Sequence, residues 1–277
     1  MTASGNLPVV VAVDGSETAA AAALWAAGEA ARRRTALLVY TAYGYEDTGF
    51  GGRMYPPSDW LVVREAEADQ LLRQTRATLE AAVPGLEIAT EASDRGPVPG
   101  LLEVSERARL LVTGEPVGAI EGLFSGSPDV DLAAHAHCPV VVVRGNESDD
   151  GPVVAGVDGS PLGEAAIAWA FEEASLSHAP LVAVSISDGN VPGEILEESC
   201  RRVLAGWQEK YPDVSVERRV EHGKPRHRLL AASRAARLVV VGSRGRGGFA
   251  GLVLGSTSQA LLHHAACPVM VVRTATA

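Results

Sequence analysis

Short apolar runs alternate with longer alanine-rich or charged stretches along the chain. The run at 9–13 ends in "DGS", and an alanine-rich stretch follows it. Asp and Ser just ahead of such a stretch mark a helix start, which predicts helices over 17–33 and, at the second "DGS", 162–177. Buried strands follow at "ALLVYT" and "PLVAVSI", then charged helices near 61–82 and 193–210. Third strands are read at "LEIATEA" and "VSVERRV", and third helices near 101–108 and 227–235. Fourth strands, "LLVT" and "LVVV", lead into loops and fourth helices, and "PVVVV" and "PVMVV" close the pattern.

That rhythm is β-α-β-α-β-α-β-α-β, written twice. At an offset of 144, Asp14 matches Asp158, Ser16 matches Ser160 and Trp25 matches Trp169. The ends match as well, "GSPDVDLAAHAHCPVVVVR" with "GSTSQALLHHAACPVMVVR". The polar segment 145–151 reads as a linker, giving domains at 1–146 and 147–277. Continuous Val/Leu strands alternating with helices predict a parallel sheet covered on both faces. The expected fold is therefore α/β: two tandem Rossmann-like, doubly wound domains, each with a five-stranded parallel sheet in the order 3-2-1-4-5. Ligands of such sheets bind beyond the strand carboxyl ends where the winding reverses, here between strands 1 and 4. Strand 1 of the second half ends at Asp158 and strand 4 at Gly242, so the carboxylate and the loop after Gly242 should face each other.

Composition narrows the picture. Aromatics make up only 5% of the chain, so the core must be aliphatic. The net charge of −10 is the reverse of a nucleic-acid-binding footprint. The first 146 residues hold 19 acids and 11 bases, the remainder 15 and 13, so an anion is better received by the second half. Three scattered cysteines give no disulfide framework and fit a reducing compartment. No apolar run reaches the length of a membrane span, and nothing near the N-terminus reads as a signal peptide. A soluble, cytoplasmic protein with no nucleic-acid or membrane partner is expected.

The densest chemistry lies in "GSRGRGGFAGLVLGSTSQ", 242–259, where six glycines fall within fourteen positions. Glycine is costly to order, so such a cluster implies that the backbone must come close to something. A glycine loop feeding a helix N-terminus is a phosphate cradle. Gly255 and Ser256 open the helix, Ser256, Thr257 and Ser258 can cap it or donate to phosphate, and Arg244 and Arg246 can offset phosphate charge. Asp158 suits a ribose or adenine edge. The plainer reading is a set of tight turns with Ser256 as N-cap, but two arginines and six glycines exceed what turns require. A P-loop would need Gly-Lys-Ser/Thr, which the loop lacks, and "GRGGFA" follows the wrong strand for a dinucleotide fingerprint. "HAHC", 135–138, has no HxH counterpart in the second half and reads as helix-end histidines beside a buried cysteine, so no metal site is expected.

Taken together, "VDGS" at the end of strand 1, the spacing Gly242-x2-Gly245-x9-Gly255-Ser256 and the closing "CPVMVVR" resemble the universal stress protein family in its tandem form. The resemblance covers nearly the whole chain. It implies a regulatory protein of stress response or growth control that binds ATP, with or without Mg2+, and hydrolyses it slowly at most, with no catalytic residues assigned. By position it implies that Asp158 holds the ribose or base and Ile186 meets the adenine. Gly242, Gly245, Gly255 and Ser256 would bind the phosphates, with Thr257, Arg244 and Arg246 beside them. It also implies a homodimer or an intramolecular pseudo-dimer through the closing strands.

The first half departs from that pattern. Its loop, "GEPVGAIEGLFSGS", is one residue shorter, carries Glu115 and Glu121, and has Val117 in the place of Gly245. A valine where the backbone needs positive φ would be strained, and acids repel phosphate. The corresponding residues, Asp14, Ala42, Gly114, Gly126 and Ser127, then make a weaker second site. The first half also inserts an aromatic, Gly/Pro-rich segment at 43–60, a plain long loop or a lid or docking surface. Two other functions stay open: a slow ATPase or related nucleotide hydrolase, and a nucleotide-free dimerisation scaffold.

Overall fold

The structure is a computed structural model and describes residues 7–44, 59–115, 128–145, 150–187, 193–245 and 254–273. The chain packs as two compact units, Met1–Pro128 and Asp129–Ala277. The first contains β1 (Val9–Ala12), α1 (Glu17–Arg33), β2 (Leu37–Ala42), α2 (Trp60–Ala82), β3 (Ile88–Ser93), α3 (Pro97–Ser105) and β4 (Leu110–Gly114). Its strands run in the order β3-β2-β1-β4, and the described pairs are parallel.

The second unit opens with α4 (Pro128–His135) and β5 (Val140–Val143), which belong to the first sequence repeat. It continues with β6 (Val153–Gly156), α5 (Pro161–Leu176), β7 (Leu181–Ser187), α6 (Gly193–Lys210), β8 (Val216–His222), α7 (Pro225–Ala232), β9 (Leu238–Gly242), α8 (Ser256–His264) and β10 (Val269–Val272). Strand order is β5-β10-β9-β6-β7-β8. The five strands of the second repeat are parallel and follow the expected order. β5 runs antiparallel to β10, with Met270 opposite Val141. The division by packing therefore falls earlier in the chain than the division by repeat.

Burial explains the strand sequences. β5 and β10 are buried at every position, and both are almost pure valine, as a strand covered on both faces requires. β3 and β8 are outer strands, mostly exposed or half-buried; β8 carries Glu217, Arg218, Arg219 and Glu221, and charged side chains keep an open edge from recruiting another strand. The core is mainly aliphatic; its buried aromatics among the described residues are Tyr40 and Phe171, the latter stacked with Trp207 of α6 and with Tyr211 just beyond that helix. Ser16 and Ser160 cap α1 and α5, their hydroxyls accepting from the Ala19 and Gly163 amides, a contact worth about 1 kcal/mol.

Two helix boundaries differ from the sequence reading. α3 and α7 begin at Pro97 and Pro225, earlier than expected, and end earlier too. Proline lacks the amide hydrogen that a first helical residue cannot use anyway, and its fixed φ suits that position. Here it opens the helix rather than preceding it.

Candidate functional site

β6 and β9 are neighbours in the second unit, so their carboxyl ends flank the point where the winding reverses. Beyond β6, Gly159 takes φ +69°, a conformation glycine adopts freely. That turn lets Asp158 Oδ1 accept from the Ser160 amide at 2.9 Å and the Ser160 hydroxyl at 2.7 Å. Oδ2 is directed to the other wall. A Cβ placed on Gly245 would stand 2.6 Å from it. The carboxylate and the glycine loop do face each other.

Each glycine of the pattern has its own reason. A Cβ on Gly242 would come within 3.0 Å of the Leu162 backbone in the first turn of α5. Gly242 therefore serves close packing of α5 on β9. Gly245 is needed for its approach to Asp158. It is not among the residues with positive φ, so the expectation that valine fails at this position through backbone strain is corrected: the obstacle is the Cβ itself. Gly255 is the N-cap of α8, with φ −76° and ψ 151°, and its amide donates to the Ser243 carbonyl at 2.7 Å. That bond draws the two ends of the glycine loop together.

The plainer reading of Ser256 as N-cap is also corrected. Gly255 holds that position, no side chain caps the helix, and Ser256 is the first helical residue. The first turn of α8 contains no acid. Ser256 is exposed and Thr257 half-buried. Ser258 is buried, and its hydroxyl donates to the Gly242 carbonyl at 2.7 Å, so it braces the loop from beneath. Amide hydrogens at such an uncapped start remain available to an anion. Arg244 is exposed beside this opening, Ile186 lies half-buried at the end of β7, and Arg246 lies outside the described residues.

The first unit repeats only part of this. Asp14 Oδ1 accepts from the Ser16 amide at 2.9 Å, and Gly15 takes φ +87°. Gly114 packs more tightly than Gly242, since a Cβ there would lie 2.5 Å from the Thr18 backbone. Thr18 Oγ1 donates to the Glu115 carbonyl at 2.8 Å, tying the exit of β4 down onto α1. Ala42 is half-buried at the end of β2. Val117, Glu121, Gly126 and Ser127 lie outside the described residues, as does the insertion from 45 to 58.

The sequence reading passed over the start of α4. Its first turn holds Pro128, Asp129 and Asp131 where α8 has Thr257, Ser258 and Ala260. Proline removes an amide donor, and the first turn of α4 carries two acids, Asp131 and the buried Asp129, where that of α8 carries none, which disfavours an anion there. Aligning "GSPDVD" with "GSTSQA" would have revealed it. The closing arginines, Arg144 and Arg273, were also passed over. Burial, and then the neighbouring Arg244 charge, lower the pKa of Arg273 from its ordinary value.

All three cysteines are buried and free. Burial pushes the Cys267 thiol up to about 12, which leaves it unreactive near neutrality. Cys138 is buried, and the His135 ring bonds the Asp131 carbonyl in its own helix at 3.0 Å. Among the described residues, no three His, Cys, Asp or Glu side chains are gathered as a metal site would need, and no helix is long and apolar enough to cross a membrane.

Comparison with known proteins agrees with this architecture. The universal stress protein family profile matches the chain twice, over residues 6–144 and 151–273. A universal stress protein of Mycobacterium tuberculosis is 39% identical over 285 residues, covering 96% of each chain. One from Mycolicibacterium smegmatis is 37% identical over 284 residues, again covering 96% of each. Among solved structures, a universal stress protein from Archaeoglobus fulgidus superposes with a TM-score of 0.79 at 19% identity, covering 98% of each chain, and so shares the fold.

Proposed function

The chain belongs to the universal stress protein family, and we propose that its second repeat is a regulatory adenine-nucleotide module that takes ATP. One observation carries this reading. The uncapped, acid-free start of α8 opens onto the same crevice wall as Gly245, whose missing side chain leaves room beside Asp158. An anion acceptor and a hydrogen-bond acceptor at opposite ends of one crevice suit a phosphate chain and a ribose. Ile186 would meet the base, Gly245, Gly255, Ser256 and Thr257 the phosphates, and Arg244 and Arg246 would balance their charge. Any Mg2+ would be carried by the phosphates themselves. The first repeat is a much weaker site, because α4 begins with proline and two carboxylates. The two repeats, 1–146 and 147–277, would act as a pseudo-dimer in the cytoplasm, coupling nucleotide occupancy to a stress or growth signal.

The test is direct. The protein is purified, denatured, and the released nucleotide identified; calorimetric titration of the emptied protein with ATP then counts sites. The expected result is an adenine nucleotide in the extract and one site per chain. No nucleotide and no ATP binding would defeat the reading, and two sites of equal affinity would defeat its asymmetry.

A further inference from the structure

Each repeat ends its last strand on an arginine, Arg144 after "CPVVVV" and Arg273 after "CPVMVV". The positions are equivalent, but the two side chains are used differently. Arg144 is buried, and its Nη1 donates to the carbonyls of Leu261 and Leu262 at 3.2 and 2.6 Å. These carbonyls lie near the end of α8, where positive charge is favoured; that of Leu261 also accepts from the Ala265 amide. Arg144 is thus committed to holding a helix.

Arg273 has no such commitment. Its Nη1 is shut off from solvent without a hydrogen-bond partner; Arg144 Nε is in the same state, but the Arg144 guanidinium is held through Nη1 by two helix carbonyls. A buried guanidinium nitrogen without an acceptor is unfavourable, and native structures rarely keep one without a reason. The backbone fixes its position. Val272 lies opposite Gly242 in the β9–β10 pairing, and the Val272 carbonyl accepts from the Ser243 amide at 2.8 Å. Arg273 therefore leaves the sheet at the same edge as Ser243, Arg244 and Gly245. The charge of Arg244 is felt at Arg273, adding to the effect of burial. Neither arginine has an acidic partner among the described residues. The two arginines thus leave the same sheet edge, one of them with a buried donor nitrogen that no protein acceptor meets.

We propose that Arg273 and Arg244 form an anion subsite that takes the outermost phosphate of a nucleoside triphosphate and makes affinity depend on the number of phosphates. The inference rests on the nucleotide reading above and deepens it. Two guanidinium forks match the oxygens of a terminal phosphate, and each can bind it through paired N–H groups. AMP cannot extend to the subsite, so it gains nothing from either arginine.

The experiment compares wild type, Arg273→Met, Arg273→Lys and Arg244→Met by calorimetric titration with ATP, AMP and inorganic tripolyphosphate. Arg273→Met should weaken ATP by about tenfold or more, while AMP changes less than about twofold. Arg273→Lys should keep part of the ATP affinity, because it keeps the charge and loses the fork. Equal losses for ATP and AMP would overturn the proposal, since a merely structural arginine would behave that way. Unchanged ATP affinity would overturn it as well. If Arg273→Met does not fold, Arg244→Met decides; that residue is exposed and should lose ATP affinity selectively. If the wild type binds no nucleotide but binds tripolyphosphate, and Arg273→Met does not, the nucleotide reading falls and the subsite stands. Binding of neither ligand by the wild type overturns both.

Discussion

α4 and α8 begin at matching places in the two repeats, yet they are built for opposite neighbours. α8 starts on a bare glycine cap with serine and threonine in its first turn; α4 starts with proline and two aspartates. Both make a regular helix, and both are followed by a buried valine strand. One fold therefore accommodates two helix starts of opposite charge. The free amides at a helix N-terminus can be satisfied by water, by an anion or by the protein's own carboxylates. On the function proposed above, the repeat that supplies its own negative charge keeps the architecture and gives up the ligand.

The comparison can be tested at its strongest contrast first. Gly114→Ala should be the most damaging single change, because its Cβ would stand 2.5 Å from the Thr18 backbone. A loss of about 3 kcal/mol is expected, at the top of the usual overpacking range. Gly242→Ala, with 3.0 Å to the Leu162 backbone, should lose about 1 kcal/mol. Thermal melts of the two variants rank them, and a reversed order would show that the two helix contacts are not equivalent. Next, Gly245→Val should lower ATP affinity about a hundredfold, near 2.7 kcal/mol, with a nearly unchanged melting temperature, because the residue is exposed and its Cβ meets only the Asp158 carboxylate.

A smaller and more pointed effect is expected from Ser256→Asp, which gives α8 an acid of the kind α4 has. Stability should rise by about 0.5 kcal/mol through the helix dipole, while ATP affinity falls about tenfold as the carboxylate occupies the anion's place. Both changes moving in the same direction would contradict the contrast drawn above. The smallest effect on ligand is expected from Arg144→Met. Removing its bonds to Leu261 and Leu262 should cost about 1–2 kcal/mol of stability. Nucleotide affinity should fall no more than about threefold, since Arg144 acts at the far end of α8 from Ser256. A large loss of affinity would mean that the two ends of the helix are coupled.

Much of the fold was legible because two copies of one pattern confirm each other. Valine runs at β5, β9 and β10 read as buried strands, and "DGS" reads as a helix start. The facing of Asp158 and the glycine loop followed from strand order alone. What could not be read depended on contacts between distant residues. Whether Gly245 is required by φ or by a carboxylate beside it is a question of packing, and local spacing does not answer it. The same is true of Ser258, whose hydroxyl is consumed by a carbonyl sixteen positions away, and of Arg273, whose buried donor is invisible in a run of valines. The proline starts of α3 and α7 were readable in principle, and a stricter use of proline at the first helical position would have placed them.

The antiparallel pairing of β5 with β10 has a consequence for how the protein behaves in solution. Strands contributed by separate chains would meet at a rate set by protein abundance, and dilution would part them. Here both strands lie on one chain, so the local concentration of each for the other is of the order of millimolar whatever the cell contains. A related protein that sought to exchange into this pairing would have to outcompete a strand tethered on the same chain. The β5–β10 contact itself therefore does not depend on how much of the protein is present.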